Sequence, residues 1–418
     1  MFRLPLRTGY RMARRFSFRL FGVVMALQVA VAAALAIADA IKKKDRVKRF
    51  GFPHPGSFEA TVDDTVTTLY TRGENLYRDM LKAIRGARHQ ILFETYLWKS
   101  DEVGHEFRDA LNDAAARGVD VYVIVDWFGN LVVPRSFYRF HPDVHVFHFP
   151  PVRLSLLLSP LRAAGLTHRK LMVVDNEFAF IGGYNIGSLY ATEWRDTHVR
   201  LSGPAVYELR HSFVQVWNQL AGRRAPQLSP HNPTPWGPSL RAINNIPANL
   251  VYPIRAVYLD TISRAQVHIH LTTAYFIPDE QILAALIEAA RRGVDVQIMI
   301  PEESNHIVAD WLSRGFYSAL LNENITLLLY RNAMIHAKTM TIDGHWSVVG
   351  TTNIDRLSLR FNYETVLEVQ DPAFAANMDL IFQADRNNCR RVNREEWEAR
   401  RPVARAVESA LEPLRKML

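Results

Sequence analysis

The same five-residue pattern occurs twice in this chain of 418 residues, with identical spacing in both copies. Its members are His168, Lys170, Asp175, Gly182 and Asn185 in the first copy, and His336, Lys338, Asp343, Gly350 and Asn353 in the second. This repeat strongly constrains the fold, because two segments 168 residues apart must build the same local structure. A doubled set of histidine, lysine and asparagine without metal-ligand spacing is what phosphodiester chemistry through a histidine nucleophile requires.

The similarity between the two halves extends to the segments before each motif. The first half has the run QILFETYLW, a helical stretch ending at Gly118 and the run VDVYVIV. The second half has VHIHLTTAYF, a helical stretch ending at Gly293 and VDVQIMI. A strand, a helix closed by glycine and a second strand form a βαβ unit, in which the strands pair in parallel. The sequence therefore predicts an α/β fold with two equivalent halves.

Composition divides the chain into five segments. Between the halves lies a proline-rich stretch without periodicity, which indicates a connection rather than core structure. The predicted segments are a basic N-terminal segment with a membrane anchor at 1–49, a first half at 50–222, a linker at 223–250, a second half at 251–385 and a charged tail at 386–418. The single cysteine excludes an internal disulfide.

Each motif is predicted to lie on a strand. Residues two apart on a strand share a face, so His168 and Lys170 of HRKLMVVD project side by side, about 7 Å apart. HAKTMTID places His336 and Lys338 in the same way. The motif aspartates fall on the opposite face, at the start of a hairpin turn, and we therefore expect a structural role for them.

Transfer at a phosphodiester needs a nucleophile and a proton for the leaving alkoxide. One neutral imidazole attacks phosphorus while a second, protonated imidazole acts as general acid, and the roles reverse in the second step. The predicted catalytic motif residues are His168, Lys170, Asp175, His336, Lys338 and Asp343. The predicted phosphate-binding residues are Lys170, Asn185, Lys338 and Asn353, with Gly182, Gly183 and Gly350 allowing the backbone to approach the phosphate.

Each histidine also needs an acceptor for its second ring nitrogen. Asp196 and Glu364 each lie 28 residues after a motif histidine, and they are the predicted orienting acids. This chemistry requires no cofactor and no metal. The other histidines that stand close together, His141, His145 and His148, fit no strong metal-ligand spacing.

The basic charge of the chain is concentrated at its N-terminus. Residues 1–49 contain 12 Lys/Arg and 2 Asp/Glu, whereas the remainder contains 38 and 40. A nearly neutral body disfavours nucleic-acid binding. The apolar run Leu20–Ala38 would span about 28 Å as a helix, which predicts a retained membrane anchor. A cleaved signal peptide and an amphipathic or targeting helix are the alternatives, and equally basic flanks leave the topology open.

Two further features border the motifs. Val152–Leu166 is apolar and basic, and it is interpreted either as a buried strand or helix, or as a loop that receives acyl chains or enters the bilayer. Tyr96 and Tyr275, near equivalent strand ends, are expected to be core or rim residues.

The doubled HxKxxxxD motif, with its following glycine and asparagine, resembles the signature of the phospholipase D superfamily over about residues 66–385. The phrases LFETYLW, FIGGYNIG, TTAYFIPDE and HAKTMTIDGHWSVVGTTNID resemble those of bacterial cardiolipin synthases. Two positions depart from that pattern: Thr351 stands where serine is frequent, and Ala274 where proline is common.

The resemblance implies two α/β/α sandwich halves related by a pseudo-two-fold axis, with one shared active site. It implies that His168 forms a phosphohistidine and that His336 is the acid/base. The reaction implied is transfer of a phosphatidyl group from phosphatidylglycerol to a second phospholipid, which makes cardiolipin and releases glycerol. A phospholipase D-type hydrolase and a nuclease-type phosphodiesterase are the alternatives. The implied setting is the bacterial inner membrane, with phospholipid substrates and no nucleic-acid partner. The side of the membrane and the oligomeric state stay open.

Overall fold

The computed structural model describes residues 28–41, 51–150, 165–221, 225–229 and 238–416. The apolar run Leu20–Ala38 therefore begins outside the described residues, and nearly all of Val152–Leu166 lies outside them. Among the described residues, no helix is both long enough and apolar enough to cross a membrane.

Two eight-stranded sheets form the body of the protein. The strands of the first half are β1 (Ser57–Val62), β2 (Thr65–Tyr70), β3 (Gln90–Thr95), β4 (Asp120–Asp126), β5 (Val144–Phe149), β6 (Leu171–Val174), β7 (Phe178–Gly182), β8 (Trp194–Arg195) and β9 (His198–Ser202). Those of the second half are β10 (Leu240–Asn245), β11 (His268–Thr272), β12 (Phe276–Ile277), β13 (Asp295–Pro301), β14 (Thr326–Tyr330), β15 (Met334–Ile335), β16 (Thr339–Ile342), β17 (Trp346–Gly350), β18 (Ile354–Asp355), β19 (Glu364–Gln370) and β20 (Cys389–Arg391).

The two sheets share the order of six strands, β9-β7-β6-β3-β4-β5 in the first and β19-β17-β16-β11-β13-β14 in the second, and they differ at their edges. The first runs β1-β2-β9-β7-β6-β3-β4-β5 and the second β10-β19-β17-β16-β11-β13-β14-β20. In both, the strand before the βαβ helix pairs in parallel with the strand after it and antiparallel with the strand that follows the motif lysine. The predicted α/β fold with two equivalent halves is confirmed.

Helices connect and cover the sheets. They are α1 (Gly73–Gly86), α2 (Glu102–Ala116), α3 (Ser188–Thr192), α4 (Val206–Ala221), α5 (Pro253–Arg264), α6 (Glu280–Arg291), α7 (Ile307–Arg314), α8 (Tyr317–Asn322), α9 (Arg356–Arg360), α10 (Pro372–Arg386), α11 (Arg394–Glu398) and α12 (Pro402–Leu411). Short 3-10 helices span Arg135–Tyr138, Pro247–Asn249 and Glu412–Lys416.

The βαβ helices end at the glycines that the sequence predicts. Asp101 caps α2 by accepting from the backbone N–H of Gly104, and Asp279 caps α6 in the same manner. Each helix is followed by a glycine with positive φ, Gly118 at 87° and Gly293 at 92°. These glycines let the chain turn directly into the next buried strand.

Alternation along the strands places apolar side chains on both faces of each sheet. On the first sheet, Phe93 packs with α1 and α2 on the outer face, whereas Leu92 contributes to a layer between the sheets. That central layer contains Phe213 of α4 and Met378 of α10. Helices α5, α6 and α8 cover the outer face of the second sheet. The two halves therefore meet across two helices and a continuous apolar core.

Two strands come from segments predicted to lie outside the halves. Strand β10 falls within the predicted linker 223–250 and pairs antiparallel with β19. Strand β20 falls within the predicted tail 386–418 and pairs with β14. The second sheet thus takes both edge strands from these segments.

A helical stretch at residues 28–41 includes part of the predicted anchor. Its Val31 and Leu35 pack against a small apolar cluster that includes Leu312 of α7 and Leu411 of α12. This stretch therefore contacts the second half.

Candidate active site

The motif histidines and lysines stand just before the regular strands rather than on them. Strand β6 begins at Leu171, one residue after Lys170, and β16 begins at Thr339, one residue after Lys338. The prediction of a strand from the histidine onward was therefore wrong by three residues. The chain leaves the sheet here because it contacts the other half of the molecule.

Each half supports the backbone of the other at the histidine. The N–H of His168 donates to the carbonyl of Tyr363 at 3.0 Å, and the N–H of His336 donates to the carbonyl of Arg195 at 2.7 Å. Short parallel pairings flank both contacts, Thr167 with Tyr363 and β15 with β8. The two motifs thus meet at the interface between the halves.

The orienting acids are exchanged between the halves. His168 Nδ1 lies 3.0 Å from Glu364 Oε1, and His336 Nδ1 lies 2.6 Å from Asp196 Oδ2. Each acid lies 28 residues after one histidine and contacts the other one. Because a carboxylate accepts from Nδ1–H, the tautomer it favours carries its lone pair on Nε2. Both histidines are then arranged as nucleophile or base.

Burial determines the charge of this pair of histidines. It lowers the pKa of His168, although Glu364 opposes the shift. It lowers the pKa of His336 to about 3, with Lys338 adding to the effect against Asp196. Each histidine also responds to the lysine of the other half, which shows that the two motifs share one electrostatic environment. Near neutral pH both imidazoles are neutral in the free protein.

The two lysines are buried in the same place. Lys170 Nζ donates to the carbonyl of His168 at 2.6 Å, and Lys338 Nζ donates to the carbonyl of His336. Burial lowers the pKa of Lys170 to about 7, with Lys338 contributing, and burial lowers that of Lys338 to about 8. Burial disfavours the charged form of both lysines, and an anion bound beside them would favour it. The site therefore gains free energy from binding an anion.

The motif aspartates lie at the far ends of the motif strands. Asp175 accepts from the backbone N–H groups of Arg88, His89 and Gln90 at 2.7 to 2.8 Å. Asp343 accepts in the same way from residues 266–268, at 2.8 to 2.9 Å. Each aspartate therefore fixes the start of the neighbouring strand, β3 or β11, and neither contacts the histidines.

The glycines of the motif make room for protein rather than for phosphate, contrary to the expectation from sequence. A Cβ on Gly183 would lie 2.1 Å from Asp196 Oδ1, and a Cβ on Gly182 would lie 2.4 Å from the carbonyl of Thr197. At Gly350 the obstacle is the carbonyl of Thr365, at 2.5 Å. These glycines let the strand with the orienting acid approach closely.

The asparagines are buried beside the motifs. Asn185 accepts from the Leu97 N–H through Oδ1 at 3.1 Å, and its carbonyl accepts from the Tyr77 hydroxyl. Asn353 is 3 % exposed, and its Oδ1 has no hydrogen-bond partner among the described residues. The Thr351 hydroxyl donates to Glu364, which places the motif's serine-to-threonine change directly behind an orienting acid.

Aromatic rings stand against both histidines. The Tyr96 ring meets the His168 ring edge-on at 4.9 Å and lies 5.2 Å from Lys170 Nζ, and the Trp194 ring lies 5.0 Å from that of His336. Tyr275 donates instead to Asn305 Oδ1 at 2.6 Å.

The three histidines of the β5 region do not come together. His141 lies 3.6 Å from the carboxylate of Asp143, His145 packs on the Tyr122 ring and His148 packs between Trp127 and Tyr138. Their separate surroundings agree with the absence of a ligand spacing.

Two buried ion pairs behind the site were not found from the sequence. Arg195, whose carbonyl supports His336, makes a bidentate contact with Asp385 at 2.7 and 3.0 Å. Arg169, between the motif histidine and lysine, lies 3.3 Å from Glu94. Both arginines are fully buried. The pair of Arg169 with Glu94 could have been suspected from the sequence, because alternation along HRK directs the side chain of Arg169 away from His168 and Lys170 and into the core.

The fold and the site together define a two-half protein of the phospholipase D-like class. The profile described as "Cardiolipin synthase, PLD-like domain" matches residues 80–217 and 258–386. The chain belongs to this family.

Individual relatives agree with this assignment. The chain is 32% identical over 360 residues to the major cardiolipin synthase of Bacillus subtilis, covering 83% of this chain and 74% of that protein. It is 31% identical over 360 residues to a cardiolipin synthase of Clostridium perfringens, covering 82% and 75%. The crystal structure of phosphatidylserine synthase from Haemophilus influenzae has the same fold, with a TM-score of 0.66 at 16% identity, over 84% of this chain and 93% of that one.

Proposed function

We propose that this protein makes cardiolipin from phosphatidylglycerol by phosphatidyl transfer through a phosphohistidine. The observation that carries the proposal is the pair of buried neutral imidazoles, each held through Nδ1 by a carboxylate of the other half and accompanied by a lysine. One site with two interchangeable proton-transfer groups suits a two-step exchange at phosphorus.

In the first step, His168 Nε2 forms a bond to the phosphorus of one phosphatidylglycerol. The P–O bond to the headgroup glycerol breaks, and His336 supplies the proton that the leaving alkoxide takes up. His336 is neutral in the free protein because it is buried, so it must gain this proton when the anionic substrate binds. A phosphodiester anion favours that uptake by raising the pKa of the buried groups around it.

In the second step, the hydroxyl of another phosphatidylglycerol attacks the phosphohistidine. His336, now neutral, takes the hydroxyl proton, and the P–N bond to His168 breaks. The products are cardiolipin and free glycerol. His336 returns to solvent, as they leave, the proton that it gained on substrate binding, and both histidines are then as in the free protein. Lys170 and Lys338 neutralise the non-bridging oxygens, and the amides of Asn185 and Asn353 add neutral donors.

The setting that we propose is the bacterial cell membrane, with phospholipids as substrates and the apolar run Leu20–Ala38 as the attachment. Twelve basic residues flank or precede that run within residues 1–49, and basic flanks are attracted to anionic lipid headgroups. The catalytic unit proposed is the pair of halves at 50–222 and 251–385, joined by 223–250.

Lipid mass spectrometry tests the proposal. The full chain is incubated with phosphatidylglycerol vesicles, in parallel with His168→Ala, and lipids and glycerol are quantified. Cardiolipin and glycerol formed in equal amounts by the intact protein alone are the expected result. Phosphatidic acid without cardiolipin would instead identify water as the acceptor and a hydrolase, and no lipid product at all would overturn the proposal.

A further inference from the structure

A second cluster of titratable side chains lies on the second sheet, away from the motif histidines. His268 and His270 are two apart on β11 and therefore project from the same face. Helix α10 covers that face and contributes Asp379. The ligand atoms of these three residues all lie within 4.8 Å of one another.

The strand register separates this cluster from the catalytic centre. Strand β11 pairs antiparallel with β16, so that Thr272 lies opposite Thr339, next to the motif lysine, and Ile269 lies opposite Ile342, next to the motif aspartate. The two histidines of β11 thus lie towards the end of the sheet that carries Asp343. The cluster is independent of the phosphodiester chemistry proposed above.

The separations within the cluster fit a small tetrahedral ion. His268 Nε2 lies 3.4 Å from Asp379 Oδ2, and His270 Nδ1 lies 2.7 Å from Asp379 Oδ1. Ligands at about 2.0–2.1 Å from a tetrahedral zinc ion are themselves roughly 3.3 Å apart. A small outward shift of one oxygen converts the hydrogen bond to His270 into that spacing.

Two buried polar atoms in this region make no hydrogen bond within the described part of the chain. They are His268 Nε2 and Gln297 Oε1. Gln297 is 5 % exposed and stands beside His270 on the parallel strand β13, so it faces the same side of the sheet. Its amide nitrogen donates to Asp295, the residue that pairs with His268. Gln297 Oε1 is thus a buried acceptor without a donor, which is costly. His268 Nε2 faces the Asp379 carboxylate at 3.4 Å, and a cation bound between them would replace that ion pair.

We propose that His268 Nε2, His270 Nδ1 and a carboxylate oxygen of Asp379 bind a zinc-type divalent ion. Two imidazole nitrogens and one carboxylate oxygen form a ligand set typical of Zn²⁺, with water or another ligand completing four-coordination. The ion would join α10 to β11. Helix α10 also carries Asp385, which binds Arg195 behind His336. The bound ion would therefore stabilise the helix that supports the interface between the two motifs.

Zinc binding by the full chain, with any affinity tag removed and metals stripped, tests the site. One Zn²⁺ per chain is expected by competition with a chromophoric chelator, with a rise of several degrees in Tm. Co²⁺ substituted for Zn²⁺ should give the visible absorption of a tetrahedral site. Asp379→Asn removes a ligand, so it should weaken zinc binding by more than the roughly 10–100-fold that losing a ligand's hydrogen-bond partner costs. At a metal concentration that just saturates the unaltered chain, it should show neither the Tm rise nor the Co²⁺ spectrum.

The matched control is Asp143→Asn, which alters a His–Asp pair without a third ligand. It should bind zinc as the unaltered chain does. If Asp379→Asn fails to fold, His268→Gln changes a ligand that is more exposed than His270 and must show the same loss. Zinc that binds the unaltered chain and these variants equally, or that leaves Tm unchanged, would overturn the proposal and leave a hydrogen-bonded His–Asp cluster.

Discussion

His168 in the first half is hydrogen-bonded through Nδ1 to Glu364 of the second, 3.0 Å away across 196 residues of chain. The reciprocal contact joins His336 to Asp196. Neither half therefore holds a complete histidine–carboxylate pair of its own. The catalysis that we propose therefore depends on the interface between the halves and requires both copies of the motif.

The orienting acids should be essential for turnover. Glu364→Gln and Asp196→Asn keep the shape of each side chain but remove the charge that fixes the tautomer and stabilises the imidazolium. We expect kcat to fall by about 10²–10⁴-fold in each, with a smaller change in KM. The measurement is initial-rate formation of cardiolipin from phosphatidylglycerol.

The control for these variants is Glu368→Gln, on the same strand β19. Glu368 binds Arg241 and the Trp346 indole, away from the histidines. Its folded fraction should retain kcat within a few-fold. Equal losses of kcat in Glu364→Gln and Glu368→Gln would mean that the integrity of strand β19, and not the charge beside His168, determines activity.

Gly183→Ala should damage the site while preserving the fold. The added Cβ would fall 2.1 Å from Asp196 Oδ1, so the carboxylate must move away from His336. We expect a loss of kcat comparable to that of Asp196→Asn. Gly86→Ala, at a position with nothing within 4 Å, is the matched control. Full activity in Gly183→Ala would show that the close approach of this glycine is not needed.

Lys170→Met should stabilise the protein in a pH-dependent manner. The pKa of Lys170 is lowered to about 7 in the fold, against 10.5 when exposed, so the unfolded chain binds more protons between these values. Burying the charged lysine lowers the free energy of unfolding by its full amount below pH 7, and this effect disappears as the pH rises towards 10.5. The variant should therefore exceed the parent by on the order of 1–3 kcal/mol near neutrality.

Denaturant unfolding of both proteins over this pH range measures the difference. It should shrink steadily as the pH rises. A gap that stays constant or widens would contradict the assignment of a depressed lysine pKa. The same variant should lose transferase activity, because the phosphate loses a cation.

The motif aspartates should affect stability more than chemistry. Asp175→Asn weakens the acceptor of three backbone N–H groups, and Asp343→Asn does the same in the second half. We expect each to cost about 1–3 kcal/mol in urea unfolding. Turnover per folded molecule should stay within a few-fold of the parent. A loss of kcat without a loss of stability would assign these aspartates a direct catalytic role.

The sequence indicated much of this architecture because each feature of one half could be compared with the equivalent segment of the other half. The βαβ units and the glycines that close their helices follow from local periodicity and turn chemistry. The 28-residue offset identified Asp196 and Glu364 as orienting acids, but not which histidine each one contacts. That pairing depends on how two distant halves pack, which no local pattern encodes.

Other features depended on packing in the same way. Gly183 was interpreted as space for phosphate, whereas the space is filled by the Asp196 carboxylate. Strands β10 and β20 lie in segments of weak pattern, and their pairing is fixed by the open edges of the second sheet. The Arg195–Asp385 pair joins residues 190 apart, and its members carry no motif.

Peptide mass spectrometry of a trapped intermediate tests the central claim most directly. A phosphodiester with a good leaving group needs no general acid in the first step, but its phosphohistidine still needs His336 as base in the second. In His336→Ala, denatured and digested at alkaline pH after mixing with such a substrate because acid cleaves the P–N bond, we predict a phosphorus adduct on the peptide that contains His168. An adduct on another residue, or turnover without any adduct on His168, would contradict the account.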